Sequence, residues 1–155
     1  MARNNVLNLS DQDAAREYKE EKIIVFDGAT ANDPGDFDGT GNPTTLFTVT
    51  GDVRVRLVAK GLVDLEGASA TIEVGTSGDT DALLGSETAT DIDADGVITS
   101  DAGYVPGPGL SSNEYTIMGG QDIILTVGTA NITAGSLKFY ATFVPLSDDG
   151  DVVAA

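Results

Sequence analysis

The fold is decided by residues 122–144, which read DIILTVGTANITAGSLKFYATFV. In the first half of this stretch, Ile123, Leu125 and Val127 lie on one face of an extended chain. Ile124 lies on the other, because successive side chains of a β-strand alternate between faces. The second half repeats the pattern with an inward row, namely Leu137, Phe139, Ala141 and Phe143. We therefore predict two strands at the centre of the core.

The same period of two residues runs through most of the remaining chain, as where Val53, Val55 and Leu57 alternate with polar and charged side chains. Gly, Pro, Asp and Asn fill the gaps between such runs. The alternation predicts nine strands, near residues 22–27, 44–50, 52–60, 68–75, 82–90, 97–100, 113–118, 121–128 and 136–145. This pattern is typical of an all-β fold, an antiparallel β-sandwich of jelly-roll or immunoglobulin-like type.

Residues 1–22 differ from the rest, because they hold four of the eight basic residues and do not alternate. Ser10 is placed to cap a short helix that would end near Lys22. We interpret residues 1–22 as an N-terminal arm, helical or extended, and residues 23–155 as one β-sandwich domain. A frayed terminus is the alternative.

Composition excludes several classes of function. The chain has no His and no Cys, and its net charge is −17. From Gly61 onward it carries fifteen acidic residues and one basic residue, Lys138. Such a surface repels phosphate, so we expect no nucleic-acid partner. No apolar run approaches the ~20 residues of a membrane span, and the usual general base and thiol nucleophile are missing. We expect neither a membrane protein nor an enzyme.

Three basic residues, Arg54, Arg56 and Lys60, share one face of a predicted strand. On so acidic a chain this stripe is a candidate contact for an acidic patch on a neighbouring subunit. The alternative is pairing within the sheet, with carboxylates such as Glu66 or Glu73 on adjacent strands.

Residues 91–99, DIDADGVIT, resemble the first nine positions of an EF-hand calcium loop. Asp91, Asp93 and Asp95 occupy its first three ligand positions, and a glycine follows. Position 12, which should supply a bidentate Glu, is Ala102. The residues therefore leave two interpretations: a weak calcium site, and an Asp-Gly turn of a β-hairpin. We expect no other cofactor.

Parts of the chain resemble small all-β structural proteins of tailed bacteriophages, most specifically head decoration or cement proteins. The similarity lies in strand and turn sequences, namely residues 23–28 (IIVFDG), 48–55 (TVTGDVRV), 122–135 (DIILTVGTANITAG) and 143–147 (FVPLS). The resemblance implies a β-sandwich or jelly roll that forms homo-oligomers, commonly trimers. It implies that the protein binds the major capsid protein on the outside of the virion, bridges adjacent capsid subunits, and is assembled in the host cytoplasm.

On this interpretation the arm is the best candidate for the contact. Val6, Leu7 and Leu9 would insert apolar side chains into the shell. Arg16 would meet an acidic shell surface, and Tyr18 lies on the apolar side of the predicted helix.

Two other classes remain as alternatives. A tail-fibre or receptor-binding module should expose aromatic side chains at a tip, for which Phe37 in loop 32–43 and Tyr104 in loop 103–112 are candidates. A calcium-dependent adhesion domain would use the loops that contain Asp36 and Asp91.

Overall fold

A computed structural model describes residues 16–99 and 114–155. These residues form two antiparallel sheets packed face to face. The ten strands are β1 Tyr18–Val25, β2 Thr44–Thr50, β3 Val53–Glu66, β4 Thr71–Thr76, β5 Asp79–Thr88, β6 Val97–Thr99, β7 Glu114–Ile117, β8 Ile123–Gly128, β9 Ala134–Pro145 and β10 Asp151–Ala154. A short 3-10 helix, Ala89–Asp91, follows β5. Within the two described segments, no helix has the length and apolar character needed to cross a membrane.

The strand order identifies a jelly roll. Sheet I has the order β1-β9-β3-β6, and β7 pairs with the same edge of β3 as β6. Sheet II has the order β10-β2-β8-β4-β5. Without β7 and β10, each sheet has four strands, and the first and second strands of the chain lie in different sheets. An immunoglobulin fold would place those two strands side by side, so the jelly-roll alternative is the correct one.

The core lies where the sequence placed it. β8 is the middle strand of sheet II, and β9 lies between β1 and β3 in sheet I. All seven inward residues predicted on these two strands are buried. The sandwich prediction and the two central strands are thus confirmed.

The predicted helix does not extend to Lys22, because Tyr18–Val25 is a strand. β1 pairs along the free edge of β9, with Tyr18 opposite Phe143. Their rings stack with centroids 5.5 Å apart. This pairing overrides the weak helical signal of the sequence. The predicted boundary at residue 22 therefore falls inside a strand, and residues 1–15 of the arm lie outside the described residues.

The Asp95-Gly96 turn is tight, but it does not close a β-hairpin. β5 pairs with β4 in sheet II, whereas β6 pairs with β3 in sheet I. The turn is instead fixed to β3: Asp95 N–H donates to the Gly61 carbonyl, and Gly61 N–H donates to the Gly96 carbonyl, both at 2.9 Å. A Cβ on Gly61 would collide with the carbonyl oxygen of Asp93, so this approach requires glycine.

Candidate interaction surface

Charge divides between the two sheets. The strands of sheet I carry six basic and five acidic residues, a net charge of +1, whereas the strands of sheet II carry five acidic residues and no basic residue. The basic residues of sheet I are Lys19, Lys22, Arg54, Arg56, Lys60 and Lys138. Lys22 and Glu20 lie opposite the buried residues Phe139 and Ala141, on the inward side of β1, and their charges cancel. On a chain of net charge −17, the outer face of sheet I is therefore the less repulsive of the two faces.

The basic stripe on β3 forms ion pairs within the chain. Arg54 Nε lies 3.5 Å from Glu114 Oε2, and Arg56 Nη2 lies 2.6 Å from Glu17 Oε1. These acceptors are not the carboxylates that the sequence suggested, Glu66 and Glu73. A carboxylate therefore already accompanies each guanidinium, and a further contact of Arg54 or Arg56 with a partner stays a prediction.

Lys60 continues the stripe, with its Nζ 2.9 Å from Asp95 Oδ1. The hydrogen bond between them raises the pKa of Lys60 and lowers the pKa of Asp95. Both side chains lie at the surface, so the pair adds little to stability. Its effect is to neutralise Lys60, which stands directly opposite Lys138 on β9.

The middle of this face is an ion-pair network around Tyr140. Glu21 accepts hydrogen bonds from Lys138 at 2.5 Å and from Lys19 at 2.6 Å. Both hydrogen bonds lower the pKa of Glu21, and the bond from Lys138 has the larger effect. Both ammonium groups also lie over the Tyr140 ring, at 4.7 Å for Lys19 and 4.9 Å for Lys138. The cations of this face are thus compensated locally.

One end of the same face is apolar. Val25 on β1 and Val63 on β3 both lie opposite Ser136 of β9, and Ser136 is buried. In the next row, Ile23 on β1 and Val97 on β6 flank the two lysines. The four apolar side chains are 51–66% exposed. We call these four residues the apolar end of sheet I.

The residues predicted for the arm divide into two groups. Val6, Leu7 and Leu9 lie outside the described residues. Arg16 is exposed, with its guanidinium carbon 5.7 Å from the centroid of the Tyr18 ring. Tyr18 is half-buried against the core, so its ring already has a packing role within the domain.

The predicted calcium ligands do not converge. No group of three or more acidic side chains that could hold a metal ion occurs in residues 16–99 and 114–155, which include Asp91, Asp93 and Asp95. Asp95 points to Lys60 instead. In loop 32–43, Asp36 Oδ2 accepts from the backbone N–H of Asn32 at 2.8 Å, which closes a turn rather than leaving the oxygen for a cation.

Asparagine side chains hold the loop between β1 and β2. Asn42 Oδ1 accepts from the Val127 N–H at 2.9 Å, and Asn42 Nδ2 donates to the Val127 carbonyl at 2.8 Å. Asn131 links the same loop to the β8–β9 connection: its Nδ2 donates to the Gly28 carbonyl, and its Oδ1 accepts from the Phe37 N–H. This loop is therefore built as part of the sandwich. Sequence analysis missed it, because asparagines in a Gly- and Asp-rich stretch look like turn formers.

Asp79 and Asp81, on the edge strand β5 of sheet II, make the stability of the fold depend on pH. A hydrogen bond that protonated Asp79 donates to the Asp81 carboxylate raises the pKa of Asp79 above its ordinary value of 3.8. A raised pKa means that the folded state binds the proton more tightly, so stability falls as pH rises through 3.8 and through the raised value. Asp81→Asn should therefore raise the melting temperature at neutral pH and leave it unchanged below pH 3.8. Thermal unfolding of both proteins at the two pH values measures this.

The control for that prediction is Glu87→Gln, which removes one exposed charge from the same strand. An equal rise in both variants at neutral pH would contradict the pairing and would point to general relief of the negative charge.

The fold is similar to that of a chain in the acid-stable capsid of the Helicobacter pylori bacteriophage KHP30. The TM-score is 0.52 at 13% identity, and the alignment covers 90% of this chain and 98% of that one. A chain of the capsid asymmetric unit of cyanophage Pam1 aligns with a TM-score of 0.44 at 14% identity, over 83% of this chain and 84% of the other. No protein-family model and no curated protein matches the sequence. At such identities the likeness to the KHP30 chain shows a common fold.

Proposed function

We propose that this protein is a non-enzymatic structural component of a bacteriophage virion, which binds the outside of the capsid as a homo-oligomer, a trimer, and stabilises the shell by bridging subunits of the major capsid protein. The observation that carries the proposal is the likeness to the KHP30 capsid chain, which extends over nearly the full length of both chains. A match of that extent means that the neighbour has about the same size and a similar fold.

The surface supports this role. A protein that coats a particle has to present one face to its partner and a different face to solvent. Sheet II, with five acidic residues and no basic residue on its strands, suits the solvent side, because like charge keeps particles apart. Sheet I, with compensated charge and an apolar end, suits contact with protein.

The two alternative functions have less support. A calcium-dependent adhesion domain needs ligands that converge, whereas the described residues contain no cluster of three acidic side chains that could hold a metal ion, and Asp95 pairs with Lys60. A receptor-binding tip needs exposed aromatic side chains, and Phe37 is 38% exposed in a loop that hydrogen bonds fix to the sandwich. Tyr104 lies outside the described residues.

Co-sedimentation with empty shells of the same virus tests the proposal. We expect the full chain to pellet with shells and to raise the temperature at which shells break open, because each bound copy adds contacts between subunits. A protein that remains in the supernatant at every concentration tested would contradict the proposed function.

A truncated chain tests the arm separately. Removal of residues 1–15 spares β1, whereas a cut at residue 21 would delete half of that strand. We expect the shorter chain to keep the melting temperature of the sandwich and to lose co-sedimentation. If it binds shells as well as the full chain does, the arm is not the contact.

A further inference from the structure

The two faces of the sandwich differ in what they offer to a second copy of this chain. Any two copies repel, since each has a net charge of −17. At physiological salt that repulsion acts over about 8 Å, so the charge near the contact matters most. The acidic strands of sheet II oppose a close approach. The strands of sheet I sum to +1 and add no such barrier.

The outer face of sheet I also has apolar side chains to bury. Ile23, Val25, Val63 and Val97 are 51%, 66%, 56% and 61% exposed. They lie in two adjacent rows across β1, β9, β3 and β6. Four neighbouring strands span about 14 Å, so these side chains lie close together on one end of the face, with Lys138 and Lys60 between Ile23 and Val97.

From these two observations we infer that the apolar end of sheet I, formed by Ile23, Val25, Val63 and Val97, is the surface through which one copy of this chain docks on another. The inference deepens the proposed trimer and rests on it, since it names the face that the trimer uses: the apolar ends of the three copies would meet around the threefold axis. It places the acidic strands of sheet II away from the contact in both copies.

An acidic partner fits this face less well than a second copy does. Glu21, Glu114 and Asp95 already accompany four of its cations, and Glu17 accompanies Arg56. The face therefore offers little net positive charge to an acidic surface. The two occupants also predict opposite effects of salt. Screening weakens the attraction to an acidic partner, so added salt would reduce binding; it also weakens the repulsion between two copies, so added salt would increase self-association.

The experiment is light scattering on the purified full chain over a series of protein concentrations, at low and at high sodium chloride. We expect the mean mass to rise with protein concentration, and to rise further with salt. Four side chains are far fewer than the ~20–30 residues per partner of a stable interface, so the association should depend on concentration within the measured range.

Two variants locate the contact. Val25→Asp and Val97→Asp each place a charge in the apolar end from a different strand, and each should shift the association midpoint at least tenfold to higher protein concentration. The matched control is Val153→Asp, the same substitution at a side chain that is 51% exposed on β10 of sheet II. It should leave the midpoint unchanged. Thermal unfolding of each variant verifies that the sandwich is intact.

Four results would overturn the inference: a monomer under all conditions, association that weakens with salt, no effect of either sheet I variant, or an equal effect of Val153→Asp. The shell assay separates this outcome from the proposed function. A monomeric chain that still pellets with shells would remove the docking surface and the proposed trimer, and would leave capsid binding in place. A chain that associates as expected but does not pellet with shells would contradict capsid binding and leave the docking surface in place.

Discussion

Phe139→Ala is expected to lower the free energy of unfolding by about 3–5 kcal/mol, the largest effect of any single change considered for this chain. Phe139 has no exposed surface, and it lies in the middle of β9, with Lys22 of β1 on one side and Ala59 of β3 on the other. Truncation removes the ring from between the two sheets and leaves a cavity that the paired strands cannot close. Urea unfolding of the two proteins, followed by circular dichroism, measures the difference.

The matched control for Phe139 is an exposed apolar side chain. Val153→Ala changes a residue on the outer face of sheet II, and we expect a loss within about 0.5 kcal/mol. If Phe139→Ala costs no more than this control, β9 is not the central strand of sheet I.

Asn42→Ala is expected to cost about 3 kcal/mol, although the side chain lies in a loop. Its amide makes three hydrogen bonds, two to the backbone of Val127 and one to the carbonyl of Phe37 at 3.0 Å. Each bond contributes about 1 kcal/mol, and the partly buried N–H and carbonyl of Val127 lose their partner as well. Urea unfolding gives the total, and hydrogen exchange of the Val127 amide, which should become faster, gives the location.

Asn42→Asp refines the test, because it keeps the acceptor for the Val127 N–H but loses the donor for the two carbonyls. Its cost should therefore include repulsion between the carboxylate and the Val127 carbonyl oxygen. The free energy of unfolding of Asn42→Asp should lie no higher than half-way between those of Asn42→Ala and the wild type. Stability equal to wild type would show that the amide donor is dispensable.

The sequence was sufficient for the centre of the fold and insufficient for its edges. β8 and β9 could be predicted because a strand packed on one face alternates strictly, and Ile123 or Leu137 marks the inward side. The start of β1 could not, since Tyr18 is extended only because β9 offers it an open edge. β10 has four residues, which is too short a run to reveal a period.

The candidate surface illustrates the same limit. Alternation placed Arg54 and Arg56 on one face, but their partners Glu114 and Glu17 depend on strand order and register. The apolar end unites β1, β3 and β6, which lie far apart in the chain. Asn42 and Val127 are 85 residues apart, and nothing local to either residue connects them.

The division of charge between the sheets also gives the molecule a direction. Facing sheets lie about 10 Å apart. The strands of sheet I have a net charge of +1, and the charged residues on the strands of sheet II are all acidic, so the two sheets form an electric dipole across the sandwich. A negatively charged body exerts a torque on such a dipole before any atoms touch, and it turns sheet I toward itself. A second copy of this chain is itself negatively charged, so two copies that meet would turn their sheet I faces toward each other before contact.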